Sequence, residues 1–121
     1  MPEKKPLNLS SVSSLWKAFG YSLSGLRVAM GERAFFQEIL LVIVLIPASF
    51  FLTTDGVSRA LMIASTLLVP IVELLNSAVE AAIDRISPEW HNLSKKAKDM
   101  GSAAVLLALI NLAFVWACVL F

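Results

Sequence analysis

The sequence predicts an all-α integral membrane protein, with three transmembrane helices preceded by an amphipathic helix on the membrane surface. Three observations carry that reading. Of the 121 residues, 58% are hydrophobic and only 16% charged, with a mean hydropathy of +0.78. An average soluble domain has about 25% charged residues, and a chain this short leaves roughly 40% of its unfolded area at the surface, more than so few charges can cover. The apolar residues gather in three long runs, and Lys and Arg concentrate in two of the segments that flank them.

The N-terminal segment is a surface helix preceded by a frayed tail over 1–12. From Ser13 to Met30, Leu15, Trp16, Phe19, Leu23, Leu26 and Met30 recur at spacings of three and four, with Lys17, Ser24 and Arg27 largely elsewhere. That period makes one apolar stripe suited to lying in the interface. Ser13 or Ser14 is the expected cap, and the helix is bounded at 13–31.

The first apolar run, Ile39–Leu52, carries no charge. A span needs about 20 residues, so the helix is placed at about 34–53, with Pro47 kinking rather than ending it. A signal-peptide reading fails because the run starts late, follows an acidic flank and precedes no small-residue cleavage site. The second span, about 57–84, opens as ALMIASTLLVPIV, bends at Pro70, then carries Glu73, Asn76 and Glu80. The third, about 94–121, is free of charge from Met100 onward, and Ser94 is its expected cap. The whole chain reads as one membrane domain.

Charge distribution orients these spans. Lys4, Lys5, Lys17, Arg27 and Arg33 precede the first; Arg85, Lys95, Lys96 and Lys98 lie between the second and third; only Arg59 follows the first. The positive-inside rule then puts the N-terminus in the cytoplasm and the C-terminus on the opposite side. The net charge of +1 offers no case for nucleic-acid binding, and the single cysteine, Cys118, excludes an intrachain disulfide.

Ionisable residues inside a span cost about 2.5–3.5 kcal/mol when central, so Glu73 and Glu80 need a reason. At about 100° per residue, Glu73, Asn76, Glu80 and Asp84 share one face and climb roughly 16 Å along the axis. The start of the third span answers with Lys95, Lys98, Asp99 and Ser102, and Glu89 and His91 lie between. Glu32 and Glu38 stand just before the first apolar run. Carboxylates at an interface suit Mg²⁺, which takes few protein oxygens and shares its shell with phosphates. A lysine beside them neutralises phosphate, and a deeper carboxylate meets a lipid hydroxyl as general base. The combination points to phosphoryl transfer from a soluble nucleotide to a lipid alcohol. Such stripes also line subunit contacts, ion paths and proton relays; Lys98–Asp99 alone reads as a solvated pair, and His91 alone as a surface residue. No Walker, GxGxxG, HRD or DFG motif is present, so any nucleotide site is neither a P-loop nor a protein-kinase site.

VELLNSAVEAAIDRI followed by EWHNLSKKAKDMGSAAV closely resembles the signature of the small prokaryotic diacylglycerol kinases, with KAFGYSLSGLR, ERAFFQE and SRALMIAS in support. The resemblance runs from about Ser14 to the end of the third span. It implies a homotrimer of three-span protomers in the bacterial cytoplasmic (inner) membrane, with active sites shared between neighbours. The implied reaction is ATP- and Mg²⁺-dependent phosphorylation of diacylglycerol to phosphatidic acid. Carried over by motif position, Glu73 is the general base, supported by Asn76; Glu32 and Glu80 hold the metal that accompanies ATP. Lys98 and Asp99 meet the nucleotide, as do Tyr21, Glu89, Trp90 and His91. Ala34, Phe35, Phe36, Gln37, Glu38, Arg59 and Ser102 match positions on the lipid side. Ser14 and Ser24 stand where well-known members carry basic residues, with Lys17 and Lys5 as possible replacements, and Phe36 replaces an arginine found in some members. Undecaprenol kinase, a relative with the same machinery, is the alternative reading. From other classes come a small transporter or proton-path subunit using Glu73 as carrier, and a structural assembly protein.

Overall fold

The computed structural model describes residues 10–121; Lys4 and Lys5, and the expected tail up to residue 9, lie outside them. Four α-helices follow one another: α1 (Ser10–Met30), α2 (Arg33–Leu52), α3 (Gly56–Ile86) and α4 (Asn92–Leu120). The last three are long and apolar enough to cross a membrane. At about 1.5 Å per residue α3 is roughly 46 Å long, well beyond a hydrocarbon core of about 30 Å. The excess, about 16 Å, matches the axial length of the polar stripe from Glu73 to Asp84.

Several sequence expectations shift. Helix α1 opens at Ser10, so Ser10–Val12 belong to it rather than to a tail, and Ser13 and Ser14 are internal rather than capping. Helix α4 is capped by His91, not Ser94: the imidazole Nδ1 accepts the Leu93 amide at 3.0 Å. Ser94 lies one turn inside. Both prolines are carried within continuous helices, Pro47 in α2 and Pro70 in α3.

The links are short. Gly31 and Glu32 join α1 to α2 through amide bonds back to Val28 and Ala29. Thr53, Thr54 and Asp55 join α2 to α3. Here Asp55 caps α3, accepting the Ser58 amide at 2.9 Å and its hydroxyl at 2.8 Å. Arg59 closes the same turn: Nη2 donates to the Thr53 carbonyl at 2.8 Å, and the guanidinium lies 4.5 Å from the centroid of the Phe50 ring. Ser87–His91 join α3 to α4, with Pro88 placed just past the C-cap, where it cannot continue the helix.

Helix α3 is the hub, packed most extensively on α4 and then on α2. Val69 meets Ala108 and Leu112 in the core, with Leu41, Leu45, Val72 and Trp116 around them. The buried hydroxyls of Ser49, Ser65 and Thr66 donate back to helix carbonyls, which satisfies them without a partner helix. Trp116 Nε1 ties α4 to α3 by donating to the Met62 carbonyl and to Thr66 Oγ1, both at 3.2 Å.

Candidate active site

At the end of the bundle away from the Arg59 turn, the polar stripe of α3 meets the start of α2 and the start of α4. Glu73 and Asn76 are buried, 7% and 8% exposed, whereas Glu80 and Asp84 are exposed. The stripe therefore runs from the packed interior to the surface, as its helical period requires.

Glu32 is the N-cap residue of α2 yet makes no side-chain cap bond of its own. Its carboxylate reaches α3 instead, where Ser77 Oγ donates to Oε2 at 2.6 Å. On α3, Asn76 Nδ2 donates to Glu80 Oε1 at 3.4 Å. Glu38 is half-buried one and a half turns into α2, and its Oε2 is buried with no hydrogen-bond partner among the described residues. Glu73 lies within electrostatic reach of Glu38, Glu32 and Glu80. Glu73 and Glu80 stand on α3, Glu38 on α2 and Glu32 at the N-cap of α2.

Lys98 faces this stripe, but it does not pair with Asp99. Adjacent helix residues face different ways. Lys98 Nζ crosses to α3 and meets Asp84 Oδ1 at 2.7 Å, while Asp99 takes Lys95 at 2.6 Å along α4. The Lys95–Lys98 face expected from the spacing is therefore divided between two carboxylate partners. Glu80 also lies within the field of Lys98.

Beside this pair a cleft of about 420 Å³ opens between the 87–91 loop and the first turns of α4. Glu89, Trp90, His91, Lys98 and Asp99 all line it, so five residues expected near a nucleotide share one concavity. Tyr21, Glu32 and Glu80 are not in its lining. Tyr21 is exposed on α1, as is Lys17. Among the residues expected on the lipid side, Ala34, Phe36, Gln37 and Ser102 are exposed, but Phe35 is 1% exposed and belongs to the core. Arg59 is not brought to the site: it stands fourteen residues before Glu73 on one continuous helix, roughly 21 Å along the axis.

Sequence reasoning passed over Ser77 and Gly101. Ser77 lies four residues after Glu73, so its helical position placed it beside the acidic stripe. Gly101 gives no chemical signal by itself; its meaning comes from what α4 packs against.

Fold and site define a small multi-pass membrane protein with a carboxylate cluster at one end of its spans and a loop-lined cleft beside it. A family model for prokaryotic diacylglycerol kinase matches residues 20–120, and the chain belongs to that family. It is 48% identical over 114 residues to the diacylglycerol kinase of Escherichia coli K12, covering 93% of each chain. It is 53% identical over 112 residues to that of Pseudomonas aeruginosa, covering 92% of this chain and 91% of the other. With the diacylglycerol kinase of Haemophilus influenzae it shares 51% over 102 residues, 84% and 86% of the two chains.

Proposed function

We propose that this chain is an ATP- and Mg²⁺-dependent lipid kinase that phosphorylates the primary hydroxyl of diacylglycerol to phosphatidic acid. The reaction takes place at the cytoplasmic face of the bacterial inner membrane. The observation that carries this reading is the graded stripe on α3, with Glu73 buried and Glu80 exposed beside the Lys98 cleft. It offers a carboxylate at the depth of a lipid hydroxyl and, about 10 Å further along the helix, a second one where a soluble nucleotide arrives.

In this mechanism the Glu73 carboxylate takes the proton of the lipid hydroxyl as its oxygen attacks the γ-phosphorus of ATP, and ADP leaves. Asn76 holds the neighbouring Glu80 carboxylate through Nδ2. Lys98 neutralises phosphate charge, exchanging its Asp84 partner for the incoming oxygens, and Asp99, Glu89, Trp90, His91 and Tyr21 frame the nucleotide. Among the described residues no three His, Cys, Asp or Glu side chains come together as a complete metal site. Mg²⁺ is commonly held by one or two carboxylates plus substrate phosphates, and in this reading Glu80 and Glu32 would hold it. When bound it screens the transferring phosphoryl group. Little covalent help is needed, so positioning suffices. Gln37, Glu38, Ser102 and the exposed side chains at the start of α2 border the lipid. Helix α1 lies on the cytoplasmic surface with Leu15, Trp16, Phe19 and Leu23 toward the lipid, and the protein assembles as a homotrimer with shared sites. The N-terminus is cytoplasmic and the C-terminus is on the far side.

The test is transfer of labelled phosphate from Mg·ATP to a panel of lipid alcohols by the purified protein. Labelled diacylglycerol is expected, and it should vanish in Glu73→Gln while assembly is kept. Label on undecaprenol alone would move the assignment to the related kinase; no label on any lipid, or normal turnover in Glu73→Gln, would reject the mechanism.

A further inference from the structure

A glycine inside a helix costs stability relative to alanine, and Gly101 sits about two and a half turns into α4, where nothing in its own helix requires it. Its surroundings supply the reason. A Cβ built on Gly101 would collide with Asn76 Oδ1 and come within 3.3 Å of Asn76 Cγ and 3.9 Å of its Cα. All three nearest atoms belong to Asn76. The missing side chain is therefore filled by this one amide.

The amide has little freedom in that place. Asn76 is 8% exposed, and its Oδ1 is buried with no hydrogen-bond partner among the described residues. Rotating the amide would turn Oδ1 toward the Glu80 carboxylate and lose the Nδ2 donor that now faces Glu80 Oε1. Charge thus selects one orientation, and the Gly101 backbone on the opposite side leaves just enough room for it.

We propose that Gly101 is a positioning residue: by its lack of a side chain it seats Asn76 so that the amide holds Glu80. It touches neither substrate nor metal and acts only through Asn76. The functional half of this inference rests on the kinase reading above; the packing half does not.

A double-mutant cycle separates the two. Gly101→Ala, Asn76→Ala and the double variant are purified in detergent without Mg²⁺ or nucleotide, and their thermal midpoints are measured. Gly101→Ala is expected to lower the midpoint in the wild-type background. In the Asn76→Ala background, where the shortened side chain vacates the space, it should leave the midpoint unchanged or raise it, since coupled neighbours are not additive. If Gly101→Ala fails to fold alone, recovery of folding in the double variant gives the same answer. Equal losses in both backgrounds, or a double variant that also fails to fold, overturn the proposal. Gly25→Ala, which meets nothing within 4 Å, is the control for a helical Gly-to-Ala change.

In the lipid-kinase assay, Gly101→Ala should lower kcat by about 10- to 100-fold, the cost of a displaced group. It should also raise the Mg²⁺ concentration for half-maximal rate while leaving the lipid KM unchanged. A purely structural glycine would lower the amount of active protein without moving the Mg²⁺ requirement, and that result overturns the positioning role. Failure of every variant and the wild type to phosphorylate lipid would reject the kinase reading while the thermal cycle still decides the Gly101–Asn76 coupling.

Discussion

At the scale of single residues, several polar groups are held by specific local partners. Asp55 is the clearest case outside the spans. Two bonds from Ser58, one from its amide and one from its hydroxyl, hold the Asp55 carboxyl below the ordinary aspartate range. A lowered value in the fold means that the ionised form stabilises the fold. The contribution is whole at neutral pH and fades as pH falls through the ordinary value and then the lowered one. Asp55→Ala is therefore expected to lower the thermal midpoint at pH 7, with the gap from wild type closing under acid. A gap that stays constant down to strong acid would reject the cap. The candidate site was half legible at this scale. Glu73, Asn76 and Glu80 announced themselves because charge inside an apolar helix is expensive and because their period puts them on one face. The Lys98–Asp84 pair did not, since it depends on the register between two helices that no spacing along one chain defines. Gly101 was silent for the same reason.

At the scale of elements, helix identity was written in apolar runs, but helix ends depended on local side-chain geometry. His91 displaced Ser94 as cap because its Nδ1 reaches the Leu93 amide from outside the helix, a geometry that composition does not encode. The prolines illustrate the same limit. Each removes an amide donor from its helix, yet α2 and α3 run on without a break. The α3–α4 pair carries a cross-helix tie of its own in Trp116, whose indole N–H reaches both the Met62 carbonyl and Thr66 Oγ1. Trp116→Phe keeps most of the apolar bulk and loses the donor, so it should destabilise the protein by about 0.5–1.5 kcal/mol. Denaturant titration in detergent, followed by circular dichroism, measures this; an unshifted transition would show that the tie contributes nothing.

At the scale of the whole molecule, the single chain is open. Large apolar side chains remain exposed along all three spans, among them Ile43, Val44, Phe51, Leu61, Leu75, Leu107 and Phe114. Lipid or further copies must cover them, and the proposed homotrimer can be tested directly. Its protein mass, after detergent is subtracted in light scattering, should be three times 13.2 kDa, with cross-linking that stops at three; a monomer or dimer would overturn it. Helix α1 packs less extensively on α2 than α3 does on either neighbour, and its Trp16–Phe19 edge-to-face pair is exposed.

The three-residue link at Thr53–Asp55 bears on how the protein is made. Helix α3 is the least apolar of the three spans and the one that carries Glu73 and Asn76. Left alone, it would be a reluctant passenger from translocon to lipid. It is instead bound to α2 by a turn too short to let the two part, fastened by Asp55 on Ser58 and by Arg59 on the Thr53 carbonyl. A pair tied so closely is built to enter a bilayer as one hairpin, in which the more apolar α2 would offset the cost of inserting α3.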